Sequence, residues 1–205
     1  MKITSLLFTL IFFLLCCNQN KQLSAQTKTN KIIINSDSCK KWGLEPVDFE
    51  ITCPENYKSE LNSAGGFYLQ LTKLKGDTIL HQISIGTASN LEMDKLNKYL
   101  HDADSVFKNV FENAGLKYTT DFVGTDDFLG QNVLQGRASI IFKSFPIEGA
   151  IADGEYSTFM TFQISKTNPH QAIVISLLSS KKEKLNPKNN IATESERIIS
   201  SLILK

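Results

Sequence analysis

Leu96, Leu100, Ala103, Phe107, Val110, Phe111 and Ala114 recur at helical spacing and form one apolar stripe. Lys95, Lys98, Asp102, Lys108 and Glu112 fall mostly on the other side. A long helix with a single greasy face needs a broad apolar surface to lie on. Ser89 and Glu92 have the S-x-x-E form of a capping box, and Gly115 suits the position just past a helix end. The helix is therefore expected over residues 89–114, supported by the four-residue pairs Asp94 with Lys98 and Asp104 with Lys108.

The surrounding segments read as strands. Residues 49–53 alternate and stop at Pro54. Gly65-Gly66 opens a strand over 67–72, the Lys75-Gly76-Asp77 turn follows, and 79–85 returns, which is a hairpin pattern. Further strands are expected at 118–123, 132–142, 155–165 and 172–179. The run Ile173-Val174-Ile175-Ser176-Leu177-Leu178 is almost continuously apolar, as a central strand covered on both faces would be. A last helix, over 191–202, puts Ile191, Ile198, Ile199 and Leu202 on one side. The fold class is α+β: a mostly antiparallel sheet of about six to seven strands flanked by two helices.

The amino terminus stands apart from this pattern. Lys2 and the apolar run from Leu6 to Leu15 form an export signal over residues 1–17, too short to span a bilayer as a helix. Leu14-Leu15-Cys16-Cys17 is similar to the lipobox of bacterial lipoproteins, which makes Cys17 the lipidated residue, with Cys16 as the alternative. Cleavage after Leu23-Ser24-Ala25, leaving Gln26 first, is the rival reading and gives a soluble secreted or periplasmic protein; an uncleaved anchor is the third. Residues 18–35 read as a tether, flexible over 18–30, and residues 36–205 as one domain. A lipidated chain would be held at the cell envelope, on its periplasmic or surface side.

That address sets the chemistry of the remaining cysteines. Cys39 and Cys53 are an even pair in an oxidising compartment, which points to one disulfide worth roughly 3 kcal/mol; two free buried thiols are the alternative. Without residues 1–17 the chain has 21 Lys+Arg, since Lys2 is the only charge lost from 22, against 21 Asp+Glu. Neutrality and a supply of only two arginines, Arg137 and Arg197, argue against nucleic acid as a partner.

The strand ending Phe49-Glu50-Ile51-Thr52-Cys53-Pro54, the two-strand unit, the long helix, the later antiparallel strands and the closing 196–202 helix resemble the PsbP-like fold. That family includes extrinsic photosystem proteins, Ran-binding Mog proteins and bacterial envelope relatives. The resemblance spans about residues 45–204 and implies a binding or scaffold protein without enzymatic activity. It carries no set of functional residues to transfer.

The residues themselves offer few sites. His81 lies on the inward side of its strand, where a structural histidine with one hydrogen bond is expected. Asp126 and Asp127 on one side, and Asp153 and Glu155 on another, read as two acidic loops that could meet around Ca²⁺. Phe122, Phe128, Phe145 and Tyr156 lie in or beside those loops and are the candidate partner patch. No nucleophile–base pattern or phosphate loop is present. The expected function is a monomeric, non-enzymatic envelope module without a cofactor, engaging a protein or envelope component. A periplasmic immunity or chaperone-like protein is the alternative, and an envelope hydrolase using the loop carboxylates a lesser one.

Overall fold

The computed structural model of the chain describes residues 29–63, 67–88, 92, 95–128, 131–142, 153–164, 172–188 and 192–205. The export signal, both lipidation candidates and residues 18–28 of the tether lie outside these. The elements in chain order are β1 (Thr29–Ile34), α1 (Ser36–Lys41), β2 (Phe49–Pro54), β3 (Tyr57–Ser63), β4 (Phe67–Lys75), β5 (Thr78–Ala88), α2 (Leu96–Asn113), β6 (Lys117–Phe128), β7 (Gln131–Phe142), β8 (Gly154–Ile164), β9 (Ala172–Ser180), α3 (Thr193–Ser200) and β10 (Ile203–Leu204).

Seven strands form one antiparallel sheet in the order β3-β4-β5-β9-β8-β7-β6. The apolar run of β9 sits in the middle of it, as its composition requires. Ile173, Ile175 and Leu177 point to one face, and Ala172, Val174 and Leu178 to the other. The first face is covered by Ile34, Cys39, Phe49, Ile51, Cys53, Ile198 and Ile199, which come from β1, α1, β2 and α3. On the second face α2 packs through Leu100 and Phe111. The expected α+β antiparallel architecture is therefore the observed one.

A second, three-stranded sheet has the order β1-β2-β10. Its β1 corrects the expected tether. Residues 29–34 are ordered because Ile32-Ile33-Ile34 pair in register with Ile51-Glu50-Phe49, and Ile34 is buried. Glu50 accepts Lys31 and Lys205 at 2.8 Å each, so the two outer strands are charge-matched to the middle one.

The long helix begins later than expected. Leu96 is its first residue and no side chain caps it, so the Ser89–Glu92 pattern does not set its start; Ser89 lies outside the described residues. Lys98 pairs with Asp102 at 2.6 Å. Asp104 accepts instead from Tyr118 Oη and Thr120 Oγ1, both at 2.7 Å, tying the helix to β6. The far end follows the expectation. Leu116 N donates to Phe111 O and Gly115 N to Glu112 O, both at 2.9 Å, which is a Schellman closure with Gly115 at φ +77°. A side chain at that φ is strained, so Gly115→Ala should lower stability by about 1–2 kcal/mol in urea denaturation.

The expected disulfide is absent. Cys39 and Cys53 are free and buried, and their thiols turn to different carbonyls, Val47 and Pro54, each at 3.5 Å. Burial raises both thiol pKa values, that of Cys53 to about 12, so both are protonated and unreactive.

Candidate functional site

The face of the large sheet beneath α2 is divided. One apolar cluster there contains Phe111, Tyr118, Ile140, Phe142, Tyr156 and Leu178; a separate one contains Leu100, Phe162, Ala172 and Val174. What separates them is a row of residues at matched register. Gln70 pairs with Ser84, Ser84 with Ser176, Ser176 with Met160, Met160 with Gly136, and Gly136 with Val123. Matched positions on neighbouring strands stand side by side on one face. Ser84 and Ser176 on one side of Met160, and Gly136 on the other, therefore lower the surface locally.

The burial pattern shows the same trough. Ser176 is the only residue of β9 that is not buried, although β9 has strands on both sides. Met160, Gly136 and Val123 are also half-buried, whereas Leu178 and Ala138 on one flank and Val174 and Phe162 on the other are buried. Over the trough lies a cavity of about 100 Å³, bounded by Leu100, Ala103, Phe107 and Phe111 of α2 and floored by Ser84, Ser176 and Gly136. Gly136 has an ordinary strand φ, so the glycine is there for room. A Cβ at this position would stand 3.3 Å from Leu100 Cδ1. At the β4 end of the row, Gln70 is 1% exposed, and its amide nitrogen finds no hydrogen-bond partner among the described residues.

The residues proposed from sequence lie elsewhere. Phe128 is 2% exposed and packs on Phe159 with ring centroids 4.7 Å apart, and Tyr156 is 2% exposed and packs edge-on to Phe142. Both are core residues, which removes them from any exposed partner patch; strand alternation turns them inward. Phe122 is half-buried under the Arg137 guanidinium, 4.6 Å from its ring centroid. Phe145 lies outside the described residues.

The two acidic groups do not converge. Asp126 and Asp127 belong to β6 and Glu155 to β8, with β7 between them. Asp126 stands opposite Val133 and Glu155 opposite Ile141, eight residues apart along β7, roughly 27 Å. Asp126 pairs with Arg137 at 3.1 Å and Glu155 with Lys181 at 2.7 Å. Among the described residues no group of three or more His, Cys, Asp or Glu is placed to hold a metal.

His81 is fully buried on the opposite face, stacked against Tyr57, with Nδ1 3.4 Å from Ser179 Oγ. Burial pushes its pKa down; Glu183 opposes that shift, Lys73 adds to it and Glu194 opposes it. The imidazole is therefore neutral at neutral pH, and the 3.9 Å approach of Glu183 to Nε2 is no ion pair. Lys73 pairs with Glu194 of α3, which also accepts from Tyr57 Oη at 3.4 Å, so this polar group clamps α3 to the sheet. A histidine with a depressed folded pKa favours the folded state above its unfolded pKa, and that stability is lost as pH falls. Stability should decline as pH drops below about 6.5. His81→Gln should flatten the decline between there and the carboxylate range, as read from urea midpoints at several pH values.

The trough was not among the sequence candidates. Its trace in the sequence is a serine interrupting an apolar run twice, in Ile83-Ser84-Ile85 and Ile175-Ser176-Leu177.

No protein-family model and no curated protein matches the chain. Among solved structures it is similar to the cyanobacterial PsbP (CyanoP) of Synechocystis sp. PCC 6803, at 12% identity and TM-score 0.48, over 92% of this chain and 99% of that one. It is also similar to LpqN, involved in cell envelope biogenesis of Mycobacterium tuberculosis, at 10% identity and TM-score 0.49, over 86% and 91%. The Ran-binding protein Mog1p of Saccharomyces cerevisiae matches at 9% identity and TM-score 0.44, over 87% and 96%. The matching structures thus include the two kinds of protein, PsbP and Mog, to which the sequence was likened.

Proposed function

We propose that the protein is a non-enzymatic binding module of the cell envelope, anchored by a lipid on Cys17 and acting on a protein or envelope component. The observation that supports binding is the cavity under α2, a concave and mainly apolar space between a helix and a sheet. The charged residues in its lining are both engaged, Asp104 by Tyr118 and Thr120 and Arg137 by Asp126. The anchor rests on the sequence pattern at residues 14–17. An immunity or chaperone-like role is one form of the same reading, distinguished by what the module captures.

Growth of the native host with an alkyne fatty acid tests the anchor. Label should appear on the protein, and Cys17→Ser should abolish it and release the chain from the membrane fraction. A mature amino terminus at unmodified Gln26 would overturn the anchored reading. Crosslinking in intact envelopes, followed by mass spectrometry, should give specific adducts that compete with unlabelled envelope extract. Their absence would overturn the binding reading.

A further inference from the structure

Strand β3 ends the large sheet, and no further strand lies beside it among the described residues. The outward N–H and C=O groups of such an edge are left for another strand to pair with. The ladder from β3 to β4 is regular from Tyr57 to Leu61 and skips Asn62, which has φ +49°. The regular stretch is thus Tyr57-Lys58-Ser59-Glu60-Leu61, with Ser59 at its centre. Alternation puts Lys58 and Glu60 on one face, where they pair at 2.6 Å while staying about half exposed. Tyr57, Ser59 and Leu61 lie on the other face, and Leu61 is 50% exposed.

About Ser59 this stretch is symmetric in polarity and opposite in charge: apolar, cation, serine, anion, apolar. Two copies laid antiparallel, with Ser59 facing Ser59, put Lys58 of each against Glu60 of the other. The same register sets the exposed Leu61 of each beside Tyr57 of the other. Shorter or longer registers that keep the faces set Lys58 against Lys58 or Glu60 against Glu60, and like charges directly opposite repel. The other edges lack this pattern. Strand β6 is interrupted by a register shift between Thr120 and Phe122, β10 is two residues long, and β1 carries a single charge, Lys31. We infer that two copies of this chain join edge to edge through β3, continuing the large sheet across a two-fold axis. The contact is too small to hold a dimer in dilute solution. It depends on copies confined to one membrane leaflet, and to that extent the inference rests on the lipid-anchored reading.

The test uses the full-length protein in membranes of its native host, carrying Ser59→Cys. The native Cys39 and Cys53 are buried and stay protonated, so they do not compete. Copper phenanthroline, with dioxygen as the oxidant, should join two copies through the introduced thiols, which face each other at a spacing a disulfide can span. Ser63→Cys, which the same register sets opposite Glu55, should stay unjoined. Adding Lys58→Glu or Glu60→Lys to Ser59→Cys should cut the yield about tenfold, because symmetry turns two attractive pairs into two repulsive ones. Carrying both reversals together should restore it. Both side chains are exposed on an edge strand, so urea midpoints should stay close to the parent's. No joining at Ser59→Cys, equal joining at Ser63→Cys, or a yield indifferent to charge reversal would overturn the inference. If the protein stays with the membrane and is not joined, the pairing falls and the anchor stands. If it is soluble but joined when concentrated, the anchor falls and the pairing stands. If it is soluble and never joined, both fall.

Discussion

Phe159→Ala should be the most damaging single truncation on the sheet, lowering stability by about 3–5 kcal/mol. Phe159 is 2% exposed on β8, beside the central strand, and faces the cluster that joins the large sheet to the small one. Its ring lies 4.7 Å from that of Phe128 at 38°, so truncation also removes a ring contact between β8 and β6, two strands that do not pair. The sheet cannot close on the space, because both neighbours of β8 are hydrogen-bonded along their length. Urea denaturation should show the midpoint falling with the slope unchanged. Val106→Ala, on the exposed side of α2, should stay within about 0.5 kcal/mol of the parent. A loss at Phe159 as small as that control would mean this face is not the main core.

Ile199→Ala should cost about 2–5 kcal/mol and should also loosen one region before the rest. Ile199 is 2% exposed on α3 and packs in the same cluster as Cys39 and Cys53, which are 0% and 2% exposed. α3 is only eight residues long, too short to persist without its packing. Its other holds include the Lys73–Glu194 pair, the Asn186 amide, which donates to the Glu196 carboxylate at 2.8 Å, and Thr52 N, which donates to Ser201 Oγ at 2.9 Å. Labelling of the two cysteines by a thiol reagent under native conditions should therefore quicken in Ile199→Ala well below the urea midpoint. In the parent it should follow global unfolding. Equal labelling rates in both proteins would mean that α3 does not guard the thiols.

The sequence makes the middle of this fold legible and its margins hard to see. Strand β9 is recognisable because a strand buried on both faces must be apolar at nearly every position. Edge strand β3 has the opposite problem. After Tyr57 it reads Lys-Ser-Glu-Leu-Asn-Ser and is exposed or half-exposed throughout, so no alternation marks it. The other edge strand, β6, misled in the same way. Asp126 and Asp127 look like loop residues because an edge strand tolerates charge, and the Ca²⁺ idea grew from that reading. Helix α1 has six polar-rich residues around Cys39, too few for a period to show. The candidate cavity was partly visible as single serines in apolar runs. That Ser84, Ser176 and Gly136 belong to one row depends on strand register, which no local pattern specifies.

The small sheet carries a consequence for the topology of the chain as a closed curve. Strand β2 has β1 on one side and β10 on the other, so the first and last described strands are spliced to the same ribbon. Thr29 stands opposite Pro54 and Leu204 opposite Phe49, an offset of roughly 17 Å along the strand and about 10 Å across it. A linker of about eight residues would bridge that gap. The domain is thus a loop fastened at a single seam, and a circular permutant reopened at the exposed Gly76-Asp77 turn should fold, with its urea-unfolding slope unchanged. Whatever pulls on the chain ahead of residue 29 pulls first on that seam, and only through β2 on the sheet that carries the cavity.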